Sequence, residues 1–110
     1  MDVERIPVFQ PGQLVRHRRY GYRGVVVDYD RTCQADESWY HGNRTQPPRN
    51  QPWYHVLVHD SQATTYAAQT SLEPDFGDDP VEHPLVEVFF HRFADGAYER
   101  NDVPVQGWPD

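Results

Sequence analysis

The sequence predicts a mostly-β domain, a small barrel of short strands that carries a long polar insertion and ends in a helix. Three observations lead there. Runs of β-branched and aromatic residues, "PGQLVRHRR", "YRGVVVDYD", "WYHVLVHD" and "ATTYAAQ", alternate with Gly-, Pro-, Asp- and Ser-rich breaks, the pattern of short strands and turns. Residues 31–52, "RTCQADESWYHGNRTQPPRNQP", are polar and hold three prolines, too long for a routine connection. Residues 83–93, "HPLVEVFFHRF", place Leu85, Val88, Phe89 and Arg92 at i, i+3, i+4 and i+7, one stripe of a helix. With 110 residues the chain is read as one domain, 1–110, with the barrel over about 12–73 and the helical appendage over about 83–110.

Each element has its reason. Pro11-Gly12 opens the first strand, in which Val15 and His17 share one face and Leu14, Arg16 and Arg18 the other. "YGYRG" turns the chain, with Gly21 supplying a backbone conformation that the tyrosines resist. Val25, Val26 and Val27 in succession predict burial on both faces of the second strand. Inside the insertion, "ADESWY" has the acidic start of a single helical turn. In the third strand Tyr54, Val56 and Val58 alternate with Trp53, His55, Leu57 and His59, and residues 63–69 pair back as a hairpin. "TSLEPDFGDDP" leaves the sheet through turns. Pro84 suits the first position of the helix, and Asp95-Gly96 stops it. "AYERN" is a short last strand, and Trp108 pins the tail.

Composition bounds the function. Apolar residues are 37% and aromatics 14%, enough for a core rich in large rings. No signal peptide and no bilayer-length apolar run is seen, and the one cysteine, Cys33, allows no internal disulfide, so the sequence is read as cytoplasmic. All ten basic residues are arginine and the net charge is −7. Residues 1–50 carry 8 Arg against 6 Asp and Glu, and residues 51–110 carry 2 against 11. The two halves therefore present different surfaces to partners, or the acidic half serves solubility alone.

Chemistry-bearing motifs are few. The six histidines include His55 and His59, but four residues on a strand span roughly 13 Å, too far for one metal. Cys33, His41 and Asp36 make a catalytic set of the kind any polar loop offers by chance, and neither GxSxG nor a phosphate loop occurs. The chain is read as a non-enzyme with no cofactor and no metal.

The remaining signal is "RHRRYGYR". Arg16, Arg18, Arg19 and Arg23 surround a turn with Tyr20 and Tyr22. Guanidinium groups bind phosphate in bidentate fashion and tyrosine packs on sugar and base. A charged strand edge that resists aggregation is the plain alternative. The insertion adds Trp39, Tyr40, Arg44 and Arg49, which suit nucleic acid or a protein hot spot equally, unless Trp39 folds back on the core.

Three segments, "GQLVRHRRYGYRGVVVDYD", "QPWYHVLVHD" and "TTYAAQTSLEPD", resemble the YccV-like, or HspQ, hemimethylated-DNA-binding family across residues 12–73. The insertion, with Cys33, Ala35, Glu37 and Trp39, and the segment "HPLVEVFFHRF" are similar to the longer form attached to eukaryotic F-box proteins. The resemblance implies an SH3-like β-barrel. It implies double-stranded DNA as partner, in hemimethylated form; the residues matching the family pattern are mostly core and turn positions, and it is the basic turn that makes Arg16, Arg18, Arg19, Tyr20, Tyr22 and Arg23 the expected DNA-binding set. It equally implies a protein-interaction module of heat-shock quality control and regulated proteolysis. The partners would then be an ATP-dependent protease, its substrates or a second copy of the chain; the aromatic insertion and the acidic second half, not the family pattern, make Trp39, Tyr40, Arg44, Arg49 and the 85–93 helix the expected contact. No membrane partner is implied.

Overall fold

The computed structural model describes residues 6–106. Seven strands and two short helices follow in the order β1 (Leu14–His17), β2 (Arg23–Asp30), α1 (Glu37–His41), β3 (Trp53–Val58), β4 (Thr64–Ala68), β5 (Leu72–Pro74), α2 (Val86–Phe89), β6 (Phe90–Ala94) and β7 (Ala97–Arg100), with a 3-10 turn at Gln69–Ser71 between β4 and β5. The first five strands form one antiparallel sheet in the order β4-β3-β2-β1-β5, and β6 and β7 form a separate hairpin. The tail at Trp108 lies outside the described residues.

The sheet is open, not the closed SH3-like barrel that the resemblance implies. Its edge strands β4 and β5 are joined by the 3-10 turn and do not pair. The curl is nonetheless tight enough for the Tyr22 hydroxyl, beside β1, to reach Thr65 Oγ1 on β4 at 2.8 Å. β5 itself is a strand that the sequence hides. Three residues ending in proline carry no alternation to read, and only their pairing with β1, Arg16 opposite Glu73 and His17 opposite Leu72, reveals them.

The valine triplet divides the core as its pattern predicts. Val25 and Val27 join Leu14, Leu57, Val81, Phe89, Phe90 and Tyr98 on one side. Val26 joins Phe9, Val15, Tyr54, Val56, Ala67 and Leu72 inside the curl. A third cluster anchors the long insertion, with Cys33 and Ala35 buried against Trp53, Tyr66 and Ala68. The Cys33 N–H donates to the Arg49 carbonyl at 2.9 Å, closing the neck of the loop. Asp36 caps α1 by accepting the Trp39 N–H at 2.8 Å, so the helical turn read from "ADESWY" is present.

The C-terminal helix over 83–93 is not. Only Val86–Phe89 is helical, and the chain then runs straight into β6. Asp95 and Gly96 have φ of 56° and 77°, the backbone of a two-residue hairpin turn that Asp-Gly favours. Once those residues turn, Phe93 faces Tyr98 and Arg92 faces Glu99 across β6 and β7, and cross-strand pairing outcompetes the helical stripe. Gly12 joins this hairpin to the sheet. Its N–H donates to Val26 and its carbonyl accepts from Tyr98 at 2.7 and 2.9 Å. With φ at 92°, a Cβ there would sit 2.0 Å from the Tyr98 carbonyl oxygen.

Candidate nucleic-acid interface

The tight turn between β1 and β2 is built on His17. Its ring is buried, and its Nδ1 accepts the N–H groups of Arg19 and Tyr20 at 3.2 and 3.1 Å. The His17 N–H and carbonyl bond Tyr22 and Gly21 across the turn, both at 2.9 Å. Tyr20 stacks on the imidazole with centroids 4.7 Å apart, and Tyr22 lies 5.1 Å away on a tilt. Accepting two N–H bonds at Nδ1 requires the neutral ring. Burial, aided by the charge of Arg19, pushes the His17 pKa below its ordinary value, so charge and geometry agree.

The four arginines of the expected DNA-binding set do not act alike. Arg23 donates to Asp75 at 2.6 Å and to the Asp79 carbonyl at 2.6 Å. Arg16 lies 3.9 Å from the same carboxylate and bonds the Gly21 carbonyl at 3.3 Å. Burial alone would raise the Asp75 pKa, but the Arg23 bond, the Gly77 N–H and the two guanidinium charges together hold it below the usual carboxylate range. Arg18 bonds the Leu72 carbonyl at 3.0 Å and stands 3.7 Å from Glu73 while remaining well exposed. Arg19 is exposed over the Tyr20 ring at 5.9 Å. Arg16 and Arg23 thus gather at Asp75, and Arg18 and Arg19 stand at the turn.

The partner-binding set from the insertion divides the same way. Trp39 folds back edge-on to Tyr66 and Trp53, at 5.6 and 6.1 Å between centroids. The Tyr40 hydroxyl bonds the carbonyls of Gln46 and Pro47 at 2.9 and 2.8 Å. Arg49 lies 5.0 Å over the Tyr40 ring and donates to the carbonyls of Cys33 and Ala35. These three knit the loop together. Arg44 is exposed. The 85–93 segment offers no docking helix, because Phe89 and Phe90 are in the core.

Folding brings the hairpin turn, the insertion and β4 together around one groove of about 570 Å³. Tyr20 and Tyr22 of the turn, Trp39 and Arg44 of the insertion, and Thr65 and Tyr66 of β4 line it. A shallower hollow beside it holds Arg18 and Arg19 against Thr45 and Pro47. Among the described residues lining either there is no Asp or Glu, although the chain has 17. Tyr66 donates to Asp30 at 2.6 Å, and His55 Nε2 lies 3.4 Å from the same oxygen. Burial first, and then the bond to Asp30, raise the Tyr66 pKa; burial outweighs Asp30 and lowers that of His55. Sequence reasoning missed β4 as part of the lining and Asp75 as the arginine anchor. The alternation of "TTYAA" signals a strand, but nothing in it names the partner across the gap.

Among the described residues no group of three His, Cys, Asp or Glu can hold a metal ion, and no helix is long and apolar enough to cross a membrane. The described Cys33 is buried.

Comparison with known proteins places this geometry. The chain is 33% identical over 93 residues to F-box only protein 21 from Homo sapiens, from Pongo abelii and from Mus musculus. Each alignment covers 82% of this chain and 15% of the relative, so the chain spans a small part of those proteins. The family described as "Hemimethylated DNA-binding protein YccV like" matches residues 7–97. That span takes in the whole five-stranded sheet, the insertion and all of the groove lining but Gln106, and the chain therefore belongs to the YccV-like hemimethylated DNA-binding family, a family of DNA-binding domains and not of enzymes.

Proposed function

We propose that this domain binds double-stranded DNA, in the hemimethylated form for which its family is described, through the surface around the β1–β2 turn. The observation that carries the reading is that Arg18, Arg19 and Arg44 line a groove and a hollow without any lining carboxylate, Glu73 beside Arg18 lying outside both, on a chain of net charge −7. Long-range steering by the whole protein repels DNA, but within a Debye length of about 8 Å at physiological salt the local basic surface decides. Arg18 and Arg19 hold phosphates, with Arg16 at the flank, and Tyr20 packs on the backbone or base. Tyr22 shapes the turn through Thr65, and Arg23 holds the scaffold through Asp75.

The test is a titration of the purified protein with hemimethylated, fully methylated and unmodified duplexes at two salt concentrations. The expected result is binding to all three that weakens with salt and is tightest for the hemimethylated duplex. No binding to any of them at low salt would end the DNA reading.

A second reading, a protein-interaction module in regulated proteolysis, is favoured by the likeness to F-box only protein 21. It uses the same insertion, with exposed Arg44 and half-buried Trp39 and Tyr40 as the contact. Arg44→Glu abolishes capture of an ATP-dependent protease or its substrate under this reading and leaves the fold intact. Unchanged capture would refute it.

A further inference from the structure

We infer that the aromatic groove receives a single unpaired nucleotide, so that the domain reads a base displaced from the duplex instead of a base edge in a groove. This rests on the DNA reading above and specifies what its site takes.

Shape is the first argument. At about 570 Å³ the groove is within the range of cavities that hold a small ligand, whereas a duplex presents a convex surface. Reading base edges in the major groove requires a helix or a two-stranded ribbon to enter it. The two helices have 5 and 4 residues, the β1–β2 turn is bent back, with Tyr22 bonded to Thr65, and the separate β6–β7 ribbon lines neither the groove nor the hollow, its Arg92 paired with Glu99 and its Arg100 bonded to the Val27 carbonyl. The concavity meets a base only when that base has left the stack.

Chemistry is the second. Tyr20, 48% exposed and stacked on His17, and Trp39, held edge-on to Tyr66, both line the groove with aromatic rings. Aromatic walls of this kind hold bases by stacking with little regard to sequence. The rim supplies the complementary charge. Among the described residues no carboxylate is within ion-pair distance of Arg19 or Arg44, and none lines the groove. The lining supplies polar readers, since Thr64 and Thr65 lie on β4 and Asn43 stands on the loop. Asn43 donates its side-chain N–H to the Trp39 carbonyl at 2.7 Å, which leaves its amide oxygen as the acceptor for a base. An acidic peptide matches the charge but makes no use of the aromatic lining.

The experiment compares a fully paired duplex with the same duplex carrying one unpaired 2-aminopurine, using the whole chain. The unpaired duplex is expected to bind about tenfold tighter, because the cost of displacing a base is already met, and the 2-aminopurine emission changes on binding. Tyr20→Ala and Arg44→Ala, both at exposed side chains, each weaken the unpaired duplex by about tenfold while the melting temperature holds. Equal affinity of the unmutated chain for the two duplexes overturns the inference and leaves the DNA reading standing. Absence of binding to either overturns both. An acidic peptide that binds at Tyr20 and Arg44 while both duplexes ignore these substitutions also overturns it.

Discussion

The two sides of the β1–β2 hairpin carry the same residue type to opposite ends. On the side facing β5, Arg16 and Arg23 converge on Asp75, whose side chain is 9% exposed, and Arg23 is itself 17% exposed. There the guanidinium is a structural tie between the sheet and the acidic segment after β5. On the side facing the insertion, Arg19 lies exposed over Tyr20 in the hollow beside the groove, and Arg44 lines the groove itself. There the guanidinium is a surface available to an anion. What separates the two is burial and a fixed partner, because a desolvated pair is costly to break and a solvated cation is cheap to remove.

The sharpest way to break this comparison is Asp75→Ala. It leaves Arg23 largely buried beside the Asp79 carbonyl without its carboxylate. Stability should fall by about 2–3 kcal/mol, because removing one partner of a buried pair strands the other charge. Urea unfolding measures it, and DNA affinity of the folded fraction should hold or rise. A loss of about 0.5 kcal/mol or less, the range of an ordinary surface substitution, would show that the tie is not structural.

The same contrast explains what is legible in the sequence. The strands β1 to β4 are readable because their burial is local. The valine triplet feeds both faces of β2, and Tyr54 and Leu57 alternate on β3. β5 and the β6–β7 hairpin are not, because their identity rests on pairing. "LEP" is a strand only beside β1, and "FFHRF" abandons its helical stripe only once Asp95-Gly96 turns back. The site follows the same rule. Arg18, Arg19, Tyr20 and Arg44 are readable as a type of chemistry. That Arg23 is answered by Asp75, 52 positions away, and Arg49 by backbone carbonyls, is information that only the tertiary structure holds.

The open side is tested by Arg18→Ala combined with Arg19→Ala. Stability should change by only about 0.5 kcal/mol, since Glu73 is partly exposed and Arg19 is solvated. The slope of log affinity against log salt for duplex DNA should fall by about 1 for each phosphate that is no longer neutralised. Arg16→Ala should change that slope less, because Asp75 already answers its charge. A slope unchanged in the double variant, with DNA still bound, would move the phosphate-binding surface elsewhere on the domain.

The smallest effect concerns the ring that holds the open side in shape. His17 titrates near 6.5 when unfolded and lower when folded. Between those values the unfolded chain binds more protons, so stability falls as pH drops from about 6.5 toward the lowered value. His55 is shifted in the same direction and contributes with the same sign, whereas Asp75 loses its contribution only at pH below its ordinary 3.8. His17→Gln separates the histidines, because its side-chain oxygen can accept from the turn N–H groups without titrating. Melting temperatures should fall less between neutral and mildly acidic pH in this variant than in the unmutated chain. In the unmutated chain the amide resonances of Arg19 and Tyr20 should move with the protonation of His17, because a protonated Nδ1 no longer accepts their bonds. Amide shifts indifferent to pH across this window would mean that the turn, and with it the arginine surface, is held by Tyr22 and Gly21 without the imidazole.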